Sequence, residues 1–321
     1  MKIKQRKECS VSAAVVQVGY RKSKLQTLKR YMPFYIMFAP VLIFYLTFAY
    51  APMVGLIMAF KDYNFMDGMF ASPWAGLAHF ERFVSNGDFW RVLGNTLSIS
   101  FLRIAFSFPA PIALALMLNE VHHPKYKKFV QTATYLPHFI SWVILSGIII
   151  TLLRVDGGIV NQLIQKFGGE PVAFLSDNRY FVPTLIVANI WKGAGWGTII
   201  YLAALSGIDV ELYEAAMIDG ANRWHRMIYI TLPGIVGAIS IQLIMQLSHI
   251  LSAGFDQIFN LYSPLVYDTA DIIDTYVYRI GLINGKYEMA TALGLFKSVV
   301  AFILIVASNK IIQKLGGDGI W

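Results

Sequence analysis

Apolar residues run through this chain in long blocks, with polar residues gathered between them. Six blocks reach the roughly 20 residues that a helix rising 1.5 Å per residue needs to cross a hydrocarbon core. They lie at about 33–59, 90–118, 131–153, 181–206, 234–262 and 289–311. The pattern predicts an all-α integral membrane protein with six transmembrane helices. Pro40, Pro52, Pro109, Pro111 and Pro137 interrupt several blocks, which membrane helices tolerate where neighbours satisfy the freed backbone groups. The expected layout is a tail at 1–30, a first transmembrane helix at 31–60, an extracytoplasmic loop at 61–89, a five-helix core at 90–311 and a short tail at 312–321.

Composition strengthens this picture. Of 321 residues, 56% are hydrophobic and 14% charged, where soluble domains carry about 45–50% and 25%. A soluble enzyme is excluded. The net charge of +8 could suggest nucleic acid, but Lys2, Lys4, Arg6, Lys7, Arg21, Lys22, Lys24, Lys29 and Arg30 all crowd the first tail. That is the flank of a membrane protein under the positive-inside rule, and no nucleic-acid partner is expected. Lys125, Lys127 and Lys128 mark the 119–130 loop as cytosolic, and Lys310 and Lys314 mark the C-terminus likewise. Both termini then lie in the cytosol, consistent with an even number of spans. The apolar run Val11 to Val18 is short and lacks a small-residue cleavage site, so it does not read as a secretion signal. Cys9 is the only cysteine, which excludes an internal disulfide framework or a multi-thiolate metal site. His122 and His123 would point apart on a helix, and no metal is expected.

One loop is anomalous. Residues 207–233 should face the cytosol, yet Asp209, Glu211, Glu214 and Asp219 outnumber Arg223 and Arg226. Leu212 to Ile218 suits a short helix, Gly220 a turn with permissive backbone angles, and Asn222 to Ile230 a second amphipathic helix. Pro233 would open the next span, where a missing N–H costs little. Two small helices on one face make a plug for another protein. An interfacial helix on lipid is the blander reading, which the acidic balance opposes.

The loop reads Glu214-Ala215-Ala216, three residues, Gly220, nine residues, then Ile230-Thr231-Leu232-Pro233. This resembles the signature loop of permease subunits in binding-protein-dependent ABC importers. The likeness extends to the branch handling complex oligosaccharides through the stretch Gln131 to Trp142, Asp156 to Asn161, Ile190-Trp191-Lys192-Gly193 and Asp318-Gly319-Ile320-Trp321. It covers the chain from about residue 30 to the end. The resemblance implies a bacterial plasma-membrane subunit pairing with a second homologous permease to enclose the path. It implies two ATP-binding subunits docked on a cytosolic coupling-helix loop, here Glu214, Ala215, Ala216, Asp219, Gly220 and Arg223. It further implies an extracytoplasmic solute-binding protein delivering an oligosaccharide, acidic uronides included. No phosphate-cradling G-x-x-x-x-G-K-[ST] run occurs in the chain, so ATP and Mg belong to partner subunits and this subunit is not an enzyme.

Polar residues inside the spans are the candidates for the path, because intramembrane charges are costly and usually face the bundle interior. Thr96, Ser100, Arg103 and Ser107 share one face of the second span. Asn189, Lys192 and Trp196 share one face of the fourth, with Trp191 beside them. Gln242, Gln246, His249 and Asp256 do so in the fifth. They either line a sugar path or hold helices and subunits together, and residue type alone leaves both open. Arg103 and Lys192 would suit carboxylates or a structural ion pair, and Lys297 is a candidate partner for Asp256. The rival class is a secondary transporter for small polar solutes, which predicts inverted repeats and broken helices with ion ligands. No repeat is evident.

Overall fold

Prolines set the shape of the helices. A proline ring clashes with the carbonyl four residues back and cannot donate to it. In three places the residue before the proline reaches five residues back instead, making a wide π-turn. Ala51 bonds to Leu46 O ahead of Pro52, Phe108 to Arg103 O ahead of Pro109, and Leu232 to Met227 O ahead of Pro233. Each turn absorbs the clash without breaking the helix.

The computed structural model describes residues 24–314; tail residues 1–23, Cys9 and the Asp318–Trp321 run lie outside the described residues. The chain divides into two units, one through Gly55 and one from Leu56 onward. The helices used below are α1 (Tyr31–Phe60), α2 (Ala78–Val84), α3 (Gly87–Asn119), α4 (Pro124–Phe139), α5 (Trp142–Leu153), α6 (Ile159–Lys166), α7 (Asn178–Leu205), α8 (Val210–Ile218), α9 (Arg223–Gly234), α10 (Val236–Ser248), α11 (Phe255–Leu261), α12 (Ile273–Tyr278) and α13 (Tyr287–Lys314). Among the described residues no strand forms beyond an isolated bridge between Lys61 and Trp74. Through the first unit nearly every large apolar side chain on α1 is exposed, as suits a helix whose solvent is lipid.

By length and apolarity, three helices among the described residues can cross a membrane: α1, α3 and α13 up to Ile311. The count rises to five if the bent pairs α4–α5 and α9–α10 each make one span. The 28-residue α7 rises about 42 Å and is long enough, but Asn189, Lys192 and a glycine run dilute its hydropathy.

The second unit packs around α7. A Cβ on Gly195 would overlap the backbone of Thr134 in α4, and one on Gly197 would press on Pro111 of α3 at 2.8 Å. Small residues here let three helices approach closely. One core joins Ile99 of α3, Leu145 and Ile149 of α5, Phe181 and Leu185 of α7 and Ile258 of α11. A second joins Phe83, Phe89, Val92, Leu251, Ile273, Ile280 and Leu293. A third, of Ala115, Tyr201, Leu205 and Ile235, lies by the α7–α8 connection.

Four expectations from the sequence need correction. The 131–153 block is two helices bent by 104°, because the chain leaves helical geometry at Ile140 and restarts with Ser141 as N-cap. The 234–262 block ends as a helix at Ser248, since Ala253 (φ 40°) and Gly254 (φ 81°) turn left-handed before α11. Pro233 does not open its span: α9 runs through it, and the 59° bend into α10 falls at Ile235. The stretch 263–288, expected as a loop because it falls between the last two blocks, instead holds short helices, α12 among them, with Asp271, Ile272, Ile273, Thr275 and Tyr276 buried.

Candidate functional site

Two regions gather the residues singled out by the sequence. The first is a polar pocket of about 320 Å³ where α3, α7 and α10 meet. Arg103 enters it from the π-turn of α3, Asn189 from α7, Gln246 from α10 and His249 from the residue just past the end of α10. Ser252 and Gly254 belong to the turn that closes it.

The polar face of α3 splits by role. Thr96 Oγ1 accepts from Ile273 N at 2.9 Å and donates to Val92 O at 2.7 Å. Ser100 Oγ donates to Ile250 O. Both hydroxyls hold neighbouring backbone. Arg103, 9% exposed, donates from Nη2 to Gln257 Oε1, and Gln257 Nε2 donates to Leu185 O at 2.7 Å. Arg103 Nε is buried without a hydrogen-bond partner. The four ion pairs among the described residues join Arg91 to Asp88, Arg91 to Asp268, Arg279 to Asp271 and Lys297 to Asp274, and none takes Arg103.

The fourth-span set separates. Only Asn189 reaches the pocket. Lys192 Nζ donates to Pro137 O at 3.3 Å, to His138 O at 3.0 Å and to Ile140 O where α4 breaks into α5; Pro137 O also accepts from Ile140 N at 3.3 Å. Its ammonium also lies 5.4 Å from the Trp142 ring centre. Trp196 stacks on His138 with centroids 4.5 Å apart and planes 2° from parallel, and Phe139 meets it edge-on. Trp191 lines a separate apolar cavity of about 370 Å³ with Leu152, Phe174 and Tyr180. Asp256 sits beyond the Ala253–Gly254 turn on α11, off the face of Gln246. Lys297 accordingly pairs at 2.5 Å with Asp274 of α12 rather than with Asp256.

Gln257 and the Ala253–Gly254 turn were missed by sequence reasoning. A glycine isolated inside an apolar helical pattern was the available sign of a break.

The second region is the 207–233 loop. Asp209 Oδ1 accepts from Glu211 N at 2.9 Å and starts α8, which carries Glu214, Ala215 and Ala216. Gly220 ends it at φ +77°, and Ala221 N returns to Ala216 O at 2.8 Å. Asn222 Oδ1 accepts from His225 N at 2.9 Å to start α9 with Arg223. Glu214, Asp219, Gly220 and Arg223 are exposed, and so are Met217, Ile218 and Trp224 at 53%, 87% and 70%. Among the described residues no cluster of three or more His, Cys, Asp or Glu could hold a metal.

Long apolar helices, a polar pocket among α3, α7 and α10, and two capped short helices on one exposed loop fit a membrane permease. Residues 107–315 match the family of binding-protein-dependent transport system inner membrane components, and the chain belongs to that family, the permeases of ABC importers. It is 45% identical over 309 residues to protein LplB of Bacillus subtilis, covering 96% of this chain and 97% of that one. It is 43% identical over 321 residues to the polygalacturonan/rhamnogalacturonan transport system permease protein YteP of the same organism, covering all of both. Among solved structures it is similar to a chain of a bacterial ABC transporter involved in the import of the acidic polysaccharide alginate, with TM-score 0.85 and 44% identity over 90% of this chain and 98% of that one. A second structure, of a bacterial alginate ABC transporter in complex with an alginate pentasaccharide-bound periplasmic protein, matches with TM-score 0.86 and 43% identity, covering 93% and 100%.

Proposed function

We propose that this chain is one of two permease subunits of an ATP-driven importer of acidic oligosaccharides, and that the α3–α7–α10 pocket is part of its path. The carrying observation is the pocket itself, in which Arg103, Asn189, Gln246 and His249 converge from three helices of an otherwise apolar bundle. Amide and imidazole groups offer donors and acceptors to sugar hydroxyls. Polygalacturonan/rhamnogalacturonan and alginate, named for the relatives, support the acidic class.

In this reading six spans cross the bacterial plasma membrane: α1, α3, the α4–α5 pair, α7, α10 continuing through the Ala253–Gly254 turn into α11, and α13. Both termini and the 207–233 loop face the cytosol. Two ATP-binding subunits, which hold ATP and Mg, dock on the permease pair, and Glu214, Ala215, Ala216, Asp219, Gly220 and Arg223 supply this chain's share of the contact. An extracytoplasmic binding protein hands over the sugar on the other face.

The test is uptake of oligogalacturonate into proteoliposomes holding this chain, a second permease and the ATP-binding subunits. Uptake is expected only with both ATP and binding protein present. Uptake driven by an ion gradient without ATP would establish the secondary-transporter alternative instead.

A further inference from the structure

Arg103 carries a charge with nothing opposite it. It is nine-tenths buried, its one hydrogen bond runs to a neutral amide, its Nε has no partner, and no carboxylate among the described residues pairs with it. Buried charges are ordinarily paired, and an intramembrane cation without a partner marks a functional site. Other inward-facing cations of this chain are satisfied: Arg279 has Asp271, Lys297 has Asp274, and Lys61 and Lys192 donate to backbone carbonyls. Among the described residues Arg103 has neither a carboxylate nor a backbone carbonyl.

The surroundings are arranged around that charge. Gly254 adopts φ +81°, and a Cβ there would collide with the guanidinium, so the turn offers bare backbone where any other residue would push the arginine aside. Gln257 grips one end of the fork and is itself fixed to Leu185 O. The remaining polar groups of the pocket, Asn189, Gln246, His249 and Ser252, include no acid to compete.

We infer that Arg103 is a single-anion subsite in the translocation path, which takes one carboxylate of a passing uronate while its neutral neighbours hydrogen-bond the ring hydroxyls. This rests on the importer reading above. A planar guanidinium matches a carboxylate geometrically. One such cation, with no second beside it, selects an acidic sugar without clamping it from two sides, as conduction requires.

The experiment uses the assembled complex in ATP-loaded proteoliposomes and compares uptake of trigalacturonate with that of its neutral methyl ester. The same binding protein serves every arm, so its own preference cancels when variants are compared. Arg103→Gln should lower the acid-to-ester uptake ratio at least tenfold, and Arg103→Lys should keep most of it. Gln246→Glu, at an exposed position in the same pocket, should lower the ratio similarly by setting a fixed negative charge near the arginine. It decides the matter should Arg103→Gln fail to assemble. A ratio unchanged in these variants, with both sugars still imported, overturns the subsite and leaves the importer standing. Import of neither sugar by the parental complex overturns the acidic-importer reading and the subsite together.

Discussion

The hydroxyl of Tyr213 donates to Thr231 Oγ1 at 3.1 Å, and Thr231 in turn donates to Arg226 O at 3.3 Å. Tyr213 precedes Glu214 on the protruding α8, and Thr231 ends the π-turn of α9. A side-chain bond thus joins the plug to the helix leading through the 59° bend into α10, where Gln246 meets the pocket. If the ATP-binding subunits dock on α8 as proposed, this bond ties their contact to the helix that leads toward the pocket, a route that Tyr213→Phe tests.

Tyr213→Phe removes this bond and little else. A neutral hydrogen bond contributes about 0.5–1.5 kcal/mol, so the complex should assemble normally while sugar-stimulated ATP hydrolysis falls several-fold. Assembled complex and hydrolysis are measured on one preparation. Full stimulation in the variant would remove the bond from the route.

The orientation is tested by reporters. One inserted after residue 122 should report the cytosol, and one after residue 265 the outside, as the positive-inside rule expects of a loop that carries Lys125, Lys127 and Lys128. Reversal at either site would contradict a six-span path with both termini in the cytosol.

Periodicity carried the helices and several pocket residues, because burial in a bundle imposes it. Thr96, Ser100 and Arg103 fall on one buried face as their spacing predicts, and Gln246 and His249 share the pocket. Apolar runs hide breaks, however. In each block one half is the more polar, Gln131 to Ser141 in the first and His249 to Tyr262 in the second, but a drop in hydropathy does not say whether the helix continues or breaks. The separating features are local: Ser141 as a cap, and Gly254 as a left-handed turn. Lys192 was legible as a cation within an apolar block but not as a cap, because its acceptors are backbone carbonyls 52 to 55 residues away.

Gly220 discriminates turn geometry from side-chain space. Nothing lies within 4 Å of a Cβ there, so only φ +77° resists substitution. Left-handed backbone costs a residue with a Cβ about 1–2 kcal/mol, while Asn tolerates it. Gly220→Asn should retain coupled ATP hydrolysis, and Gly220→Val should lose most of it. Glu214→Lys should lose it with the turn intact. Equal activity of the Asn and Val variants would argue against a role for the turn.

Asp271 and Arg279 form a buried pair, with Nη2 to Oδ2 at 2.5 Å and the Asp271 side chain fully buried. Burial alone would lower the Arg279 pKa, but the hydrogen bond and charge of Asp271 hold it above the usual arginine value. Removing one partner of such a pair typically costs about 3–5 kcal/mol. Arg279 is partly open, so Asp271→Ala should cost about 3 kcal/mol and lower the temperature of thermal aggregation. Asp271→Asn with Arg279→Met should recover part of the loss.

Lys192 and Gln246 both came from polar stripes, yet the structure gives them different work, and one experiment separates the two. Lys192 caps three carbonyls at the 104° break between α4 and α5. In the six-span reading these acceptors lie at membrane depth, where a backbone group left unsatisfied costs several kcal/mol. Lys192→Met keeps the length of the side chain and loses the donors. It should therefore reduce the amount of assembled transporter, while each surviving complex keeps its preference between two oligosaccharides. Trp196→Ala should behave alike, because its ring packs on His138 and Phe139 beside the same break. Gln246 is exposed in the pocket and makes no contact that the break depends on. Gln246→Leu should leave assembly intact and change the uptake ratio of a short and a long oligosaccharide. Uptake normalised to assembled complex reads both effects at once. A changed preference in Lys192→Met would return that residue to the path, and lost assembly in Gln246→Leu would move Gln246 from the path to the packing.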